Sequence, residues 1–405
     1  MNKVEAPPPE GRGRTPALCG KQESLFISIS RDSHIDSTMK TMKLLFLACV
    51  GDAACLRLGP APSMLANGRM TKKPSAKLGG RGFGAAPPTS GKLLDEPRYT
   101  ALYEWLRSSP LTNLKKVGIA EFEGGLRGVM ALQDIMAGEE IVAIPATLAI
   151  DLGADGVDPL PAARRFLGEM HGDTDGEYAA YWAVLPPPDA ADLCTPDFFS
   201  EKELQMLQWP PLVVETRKRS AQLRKALGER APNSGTPNDV MAVAGGNMRE
   251  LRWAVWTILS RVLTVADPTD LGGHKLLIPL IDMFNHRGGS KHYLTGRTDG
   301  MLRVVAGATV KAGEQIFIKY GTDQTSNVEF VAHYGFVDPK AETADRTLLR
   351  MQPAMVPALK HSTLAQDEAE LDALKAADGP YQEQLALGLR MALKRAALKE
   401  GLLEA

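Results

Sequence analysis

Apolar and polar positions divide the chain into stretches of different rhythm. From Met1 to about Lys92 no period is sustained, and the stretch is rich in Pro, Gly, Ser and Ala, so it does not pattern as a folded domain. Asp95-Glu96-Pro97 opens the body, with Asp95 placed to cap and Pro97 suited to a first helical turn. Tyr99, Leu102, Tyr103 and Leu106 then predict a helix with one buried face, ended by Ser108-Ser109-Pro110. Val117 to Pro145 shifts to short strands, VGIAEF, RGVMAL and EEIVAIP, joined by turns. From Asp151 to about Arg249 helical periodicity returns, broken by Pro186-Pro187-Pro188 and Pro210-Pro211, with helices expected over Tyr178 to Leu185 and Glu201 to Gln208. Asn247 to Val265 reads as a stronger helix whose stripe is Met248, Leu251, Val255, Ile258, Val262 and Val265. Past Pro339, two further apolar-patterned helices are expected near Leu364 to Ala377 and Tyr381 to Leu403.

The densest concentration of candidate chemistry runs from Leu277 to Pro339. An apolar run from Leu276 to Ile281 ends in Asp282 and suggests a buried strand or turn that delivers polar groups to the interior. Asn285 and His286 follow, and both donate and accept hydrogen bonds. Ile316, Ile318 and Tyr320 alternate with Phe317 and Lys319, which predicts a strand entered through the Ala312-Gly313-Glu314 turn. Val328 to Phe336 is apolar again, with Tyr334 beside Gly335. Singly, each of these signals is equally at home as a satisfied core group or a turn. A metal set from Asp282, His286 and His292 is a further reading, but the six-residue gap between the histidines lacks the one-face helical spacing of a zinc motif and contains glycines.

Two further features bear on the site. Gly124-Gly125-Leu126-Arg127-Gly128 lies between two expected strands, where glycines let the backbone wrap closely around a small molecule. A dinucleotide fingerprint needs a following helix, and Pro145 with the strand pattern argues otherwise. The segment from Asp134 to Ile141 also echoes that from Thr309 to Ile316, predicting two similar turns that each feed a strand.

Composition narrows the class. The chain has 405 residues, 44% of them hydrophobic, and a net charge of −1, so nothing global points to nucleic acid or acidic lipid. Of four cysteines, only Cys194 lies in the body, which excludes a disulfide framework. The Arg217-Lys218-Arg219 and Arg224-Lys225 groups read as a solvated basic face.

In order and spacing, Asp282-x-x-Asn285-His286, Ala312-Gly313-Glu314-Gln315-Ile316 with Tyr320-Gly321, Ser326-Asn327-x-Glu329, and Tyr334-Gly335-Phe336 resemble the second half of a SET domain. The stretch is most similar to the RuBisCO large-subunit lysine methyltransferase-like family. Resemblance continues upstream at Arg252-Trp253-Ala254-Val255, at Ser260-Arg261 and from Val117 to Pro145. It implies an α+β fold: a β-rich SET fold of small sheets with a pseudoknot, split by a helical insert at about 151–249, over residues 93–340. A short or incomplete helical substrate-binding domain at 341–405 would follow. The zinc-binding segment that follows many SET domains is not expected here, because no cysteine follows Tyr334 in the sequence.

The resemblance also implies roles. The cofactor would be S-adenosyl-L-methionine, contacted by Gly125, Leu126, Arg127, Arg261, Phe284, Asn285, His286 and Tyr334. Where the family loop begins with an acid, this chain has Gly125, and the nearest acid is Glu123. Arg261 would take the methionine carboxylate, a task suited to a guanidinium. Tyr334 would be the catalytic hydroxyl, while Asp282 and Tyr320 would line the substrate channel, with no metal required. The implied activity is a protein-lysine N-methyltransferase acting on a non-histone protein, without nucleic acid or stable membrane association. The family's actin-histidine branch lacks the tyrosine of the Tyr-Gly-Phe step and carries asparagine after the helix arginine, whereas this chain has Tyr334 and Val262. Histidine methylation, or a non-catalytic SET-like module that binds peptide in the same cleft, are the alternatives.

The N-terminal stretch adds a location. Met42 to Val50 is an apolar core behind Lys40 and Lys43, too short to span a bilayer and similar to a signal-peptide core. Ala53 to Leu94 has no acid but carries Arg57, Arg69, Lys72, Lys73, Lys77, Arg81 and Lys92, like a transit peptide. Together they resemble a bipartite plastid presequence at 1–92, which makes the plastid stroma the expected compartment and the cytoplasm the alternative. RuBisCO large subunit and plastid aldolase then become candidate substrates by resemblance.

Overall fold

The computed structural model describes residues 91–173, 175–190, 193–228, 247–266, 273–296 and 299–404. The presequence features up to residue 90 lie outside the described residues. A short strand, β1 (Lys92–Leu93), leads to helix α1 (Pro97–Arg107). Strands β2 (Val117–Phe122), β3 (Leu126–Ala131), β4 (Glu140–Pro145) and β5 (Ile150–Ala154) follow. Helices α2 (Leu160–Gly172), α3 (Ala179–Trp182), α4 (Glu201–Met206), α5 (Pro210–Ala226) and α6 (Met248–Arg261) come next. Six strands then run as β6 (Leu263–Ala266), β7 (Gly273–Leu277), β8 (Asn285–His286), β9 (Tyr293–Gly296), β10 (Met301–Val305) and β11 (Gln315–Ile318). Helices α7 (Asn327–Tyr334), α8 (Glu342–Met351), α9 (Leu364–Ala376) and α10 (Tyr381–Lys399) complete the described chain.

The strands form three small sheets, ordered β1-β2-β3-β11-β8, β4-β10-β9 and β5-β7-β6. Pairing is antiparallel except between β11 and β8, where Phe317 faces Asn285 and Ile318 faces His286 in parallel. That one parallel pair brings the Asn-His step against the strand that ends at Tyr320. The echoed turns meet directly: Ile135 and Val310 exchange N–H···O bonds, both 2.9 Å. Each turn has a glycine at positive φ, Gly138 at 88° and Gly313 at 85°. In each, the next glutamate accepts from a backbone N–H three residues back, Glu139 from Met136 at 2.8 Å and Glu314 from Lys311 at 2.9 Å. Two similar turns thereby join the connection between β3 and β4 to that between β10 and β11.

Two hydrophobic cores are distinct. The larger packs α1, α2, α6 and the sheets, and it includes Phe284, Tyr320, Phe330 and Tyr334. The smaller joins α4 and α5, through Leu204, Leu207, Trp209 and Leu212, to α7, α8 and α10. Helix α7 belongs to both, since its Val328, Val331 and Ala332 face the smaller core.

Several local expectations need correction. Residue Asp95 does not cap α1; the boundary residue is Glu96, without a side-chain cap bond, and Pro97 occupies the first turn as anticipated. Helix α6 ends at Arg261, not Val265, because Val262 turns extended and Leu263–Ala266 pairs with β7. The helix expected over Tyr178 to Leu185 spans only Ala179–Trp182, and that over Glu201 to Gln208 stops at Met206. Gln208, at φ 49°, turns the chain toward Pro210. Arg219 is buried and bonded to Asp197 at 2.7 Å, so it is not part of a solvated face, while Arg217 stays exposed in a surface pair with Glu201. The stretch at the start of the insert is strand, since β5 runs to Ala154 and pairs with β7.

Candidate functional site

Three segments converge where β3, β8 and β11 meet. The first is the glycine loop. Gly124 and Gly125 adopt φ of 72° and 70°, which side-chain-bearing residues rarely tolerate, and Gly125 and Leu126 stay partly exposed. The loop is held by Asn285, whose Nδ2 donates to the Arg127 carbonyl at 2.7 Å. A Cβ at Gly128 would lie 2.7 Å from Asn285 Nδ2 and closer still to Gln315 Nε2, so only glycine lets the three strands approach. The Arg127 side chain points into the core, donating to Val184 O at 2.7 Å and Tyr99 Oη at 3.1 Å.

The second segment carries Asp282. Leu280 sits at φ 69° and ψ −43°, an unusual conformation for a branched residue. The following 3₁₀ turn, Ile281–Met283, projects the Asp282 carboxylate inward. There Arg261, the last residue of α6, pairs with it at 3.2 Å, and both side chains are 0% exposed. Tyr181 from α3 donates its hydroxyl to the same carboxylate oxygen at 2.8 Å. Burial raises the Asp282 carboxyl above the usual range, with Arg261 and Tyr181 pulling it back. Burial and Asp282 together push the Tyr181 phenol well up, so it stays a donor.

The third segment is an aromatic cluster. Tyr320 and Tyr334 rings lie 5.0 Å apart, and His286 stacks on Phe336 at 5.2 Å and packs against Phe330 at 4.9 Å. His286 Nδ1 accepts the Tyr320 backbone N–H at 2.9 Å, so its proton is on Nε2, which donates to Asp338 at 2.9 Å. Burial acts against charge on Asp338, but His286 and the Lys340 N–H hold its carboxyl below the usual range. The Tyr320 hydroxyl donates to Phe284 O at 2.6 Å. Tyr334 follows from a strong local signal: Ser326 and Glu329 form a complete capping box for α7, and Gly335 at φ 71° ends it. His333, one residue earlier, is driven to about 3 by burial, with Arg219 and Lys275 adding repulsion, and is neutral.

The expected residues therefore fall into two neighbouring groups. Gly125, Leu126, Phe284, Asn285, His286, Tyr320 and Tyr334 gather at the strand junction and aromatic cluster. Arg261 and Asp282 form a buried pair with Tyr181, so Asp282 is bonded within the core through Oδ2. Sequence reasoning passed over Tyr181, Gln315, Asn327 and Asp338. Gln315 and Asn327 lay inside quoted motifs and Asp338 just beyond one, whereas nothing local to Tyr181 marks it. The metal set does not assemble: both His286 nitrogens are bonded, and among the described residues no group of three His, Cys, Asp or Glu is placed to hold a metal.

Buried polar atoms without a partner cluster at this junction: Asn285 Oδ1, Asp282 Oδ1, both amide atoms of Gln315, and Arg127 Nε and Nη2. Such a concentration is unusual in a folded interior and suits a polar small molecule or ordered water.

The SET domain of a RuBisCO methyltransferase, solved with lysine and S-adenosylhomocysteine, superposes with a TM-score of 0.55 at 19% identity, covering 76% of this chain and 91% of that one. The fold is that of a SET domain. No protein-family model matches the chain. An actin-histidine N-methyltransferase of Xenopus tropicalis is 28% identical over 265 residues, 60% of this chain and 43% of the relative. The chloroplastic RuBisCO large-subunit N-methyltransferase of Pisum sativum is 23% identical over 272 residues, 62% of this chain and 54% of the relative. The chain spans about half the length of the curated relatives it matches.

Proposed function

We propose that the protein is an S-adenosylmethionine-dependent protein N-methyltransferase of the SET type, with a lysine side chain as acceptor. The observation that carries the reading is the junction itself: a glycine-shaped loop, orphaned buried polar atoms and a phenol-lined apolar cluster lie side by side. The residues fit the cofactor. Gly125 and Leu126 offer partly exposed backbone, Asn285 Oδ1 and both amide atoms of Gln315 are unpartnered, and Arg261 brings a buried guanidinium, held by Asp282, at the end of α6. When bound, the cofactor supplies an electrophilic methyl on a sulfonium.

The chain's own part is to bind, orient and keep the acceptor amine neutral. Methyl transfer is an in-line displacement, and an ammonium has no lone pair to attack with. Phe284, Phe330, Phe336 and the faces of Tyr320 and Tyr334 make a desolvating wall, which lowers the pKa of an inserted lysine. Tyr334 is the candidate hydroxyl beside the transferring methyl. Tyr320 lines the channel, its own hydroxyl fixed on Phe284 O. Asp282 acts from beneath, by holding Arg261.

Similarity to actin-histidine N-methyltransferases supports a second reading, with histidine as acceptor. Tyr334 and Val262 favour lysine, by the two departures from that branch noted above. The test is transfer of labelled methyl from S-adenosylmethionine into a plastid-enriched extract, the compartment the presequence-like N-terminus favours, and into purified actin. Full-length protein is compared with Tyr334→Phe and Arg261→Ala. A labelled band lost in both variants, with lysine identified by mass spectrometry, is expected. Label on histidine would select the second reading, and cofactor binding without transfer to any substrate would favour a binding module.

A further inference from the structure

Away from the strand junction, a cleft of about 520 Å³ opens among α7, α8, α9 and α10. Its floor is apolar, from Val337, Leu371 and Met391, and Gly388 of α10 also lines it. Glycine in a helix interior costs roughly 1 kcal/mol against alanine, and here its missing side chain leaves room in the cleft. Four carboxylates line the walls, Glu342, Asp345, Glu368 and Asp372, against two cations, Lys375 and Arg395. Arg395 is already paired with Glu368 at 2.8 Å, and Glu342 with Lys399 at 2.6 Å.

Asp345 is the unusual member. It is 0% exposed, and its carboxylate accepts only from Asn327, N–H at 2.7 Å and Nδ2 at 2.6 Å. No cation pairs with it among the described residues, and its charged neighbours, Glu329 and Glu342, have the same sign. A buried carboxylate that faces a cavity without a counter-charge either takes up a proton or is offset by a cation that enters.

We propose that this cleft is a docking site for the cationic side chain of a polypeptide partner, an arginine or lysine whose aliphatic stem lies on Val337, Leu371 and Met391 and whose head reaches Asp345. A pocket of this volume suits one such side chain with its flanking backbone. The site stands independently of the methyl-transfer reading. It is nonetheless wired to the strand junction: Asn327 Oδ1 accepts the Asp338 N–H at 2.7 Å, an Asp338 carboxylate oxygen accepts from His286 Nε2 at 2.9 Å, and His286 Nδ1 accepts the Tyr320 N–H at 2.9 Å. An occupant that re-aims Asp345 would act on Tyr320 through three intervening residues, Asn327, Asp338 and His286.

The test is a titration of full-length protein with a short arginine peptide, read by methyl NMR of Met391 and by calorimetry. The same peptide with citrulline, a neutral analogue of arginine, is the control. The expected result is binding that shifts the Met391 methyl and weakens at least tenfold with citrulline. Asp345→Asn is expected to cost a similar factor. Gly388→Met, which fills the floor, should abolish binding while the melting temperature and cofactor affinity hold. Equal affinity for citrulline peptide, binding indifferent to Gly388→Met, or no Met391 shift at millimolar peptide would overturn the proposal. Tighter binding of free spermidine than of the peptide would overturn its polypeptide part.

Discussion

The Arg261–Asp282 pair gives the sharpest test of how the site is built. Replacing Arg261 with methionine keeps an aliphatic stem near Trp256 but removes the charge that faces Asp282 at 3.2 Å. Asp282 is then a fully buried carboxylate with one protein donor, the Tyr181 hydroxyl at 2.8 Å. Removing one partner of a buried pair costs about 3–5 kcal/mol, because the desolvation of the survivor is left uncompensated. For a domain of this size that lowers the melting temperature by on the order of 10 °C. Asp282 is already raised by burial, and losing Arg261 raises it further. A carboxyl whose folded pKa exceeds its unfolded value costs stability as pH rises, so the deficit of Arg261→Met should grow from acid to neutral pH. The double variant Arg261→Met/Asp282→Leu should recover most of the loss, since an apolar replacement leaves no orphan charge. The assay is thermal and urea unfolding of the four proteins of the cycle across pH. Additivity within about 0.5 kcal/mol, or a single-variant loss independent of pH, would refute the coupling.

Other consequences follow from the same geometry. Gly128→Ala places a methyl on Gln315 and Asn285, so cofactor affinity measured by calorimetry should fall at least tenfold, with about 1–3 kcal/mol of stability lost to overpacking. Asp345 is raised to about 7 by burial, so its contribution to stability falls as pH rises from about 4 to 7 and stays low above; Asp345→Asn should flatten that slope, worth roughly 4 kcal/mol. Equal slopes for the two proteins in urea titrations would count against this. Removing residues 341–405 strips α8 and α10 from the smaller core, and the product should fail to unfold cooperatively; a sharp calorimetric transition would contradict that.

How far these features were legible depends on where their causes lie. Segments whose structure is decided locally were readable. The strands from Val117 to Pro145 are short apolar runs bounded by glycines, and α10 carries its stripe from Tyr381 onward. The echoed turns were visible because Gly138 and Gly313 each precede a glutamate that closes the same turn. The end of α6 was not, since Val262 and Val265 continue a helical stripe and only pairing with β7 turns them into strand. Arg219 looked solvated because Asp197, its partner, lies 22 residues away. Tyr181 could not be linked to Asp282, 101 residues distant, by any local rule. The aromatic cluster was legible only as an ordered set of motifs; its bonded path through Asp338 and Asn327 needed the folded chain.

Helix α7 explains why the site and the C-terminal helices form one mechanical unit. Eight residues long, it is below the length at which a helix is stable alone. Its capping box at Ser326 and Glu329 and its left-handed end at Gly335 fix where it starts and stops. Packing must supply the remaining stability, and it comes from both sides. Phe330 and Tyr334 enter the larger core beside Tyr320, while Val328, Val331 and Ala332 enter the smaller one against α8 and α10. Asn327, the first residue of α7, ties the Asp345 carboxylate of α8 to the Asp338 loop that holds His286. A shift of α8 or α10 cannot be absorbed by α7 alone, because close-packed interiors transmit displacement more readily than they dissipate it. The Tyr334 ring is therefore positioned as much by residues 341–399 as by the sheet it faces.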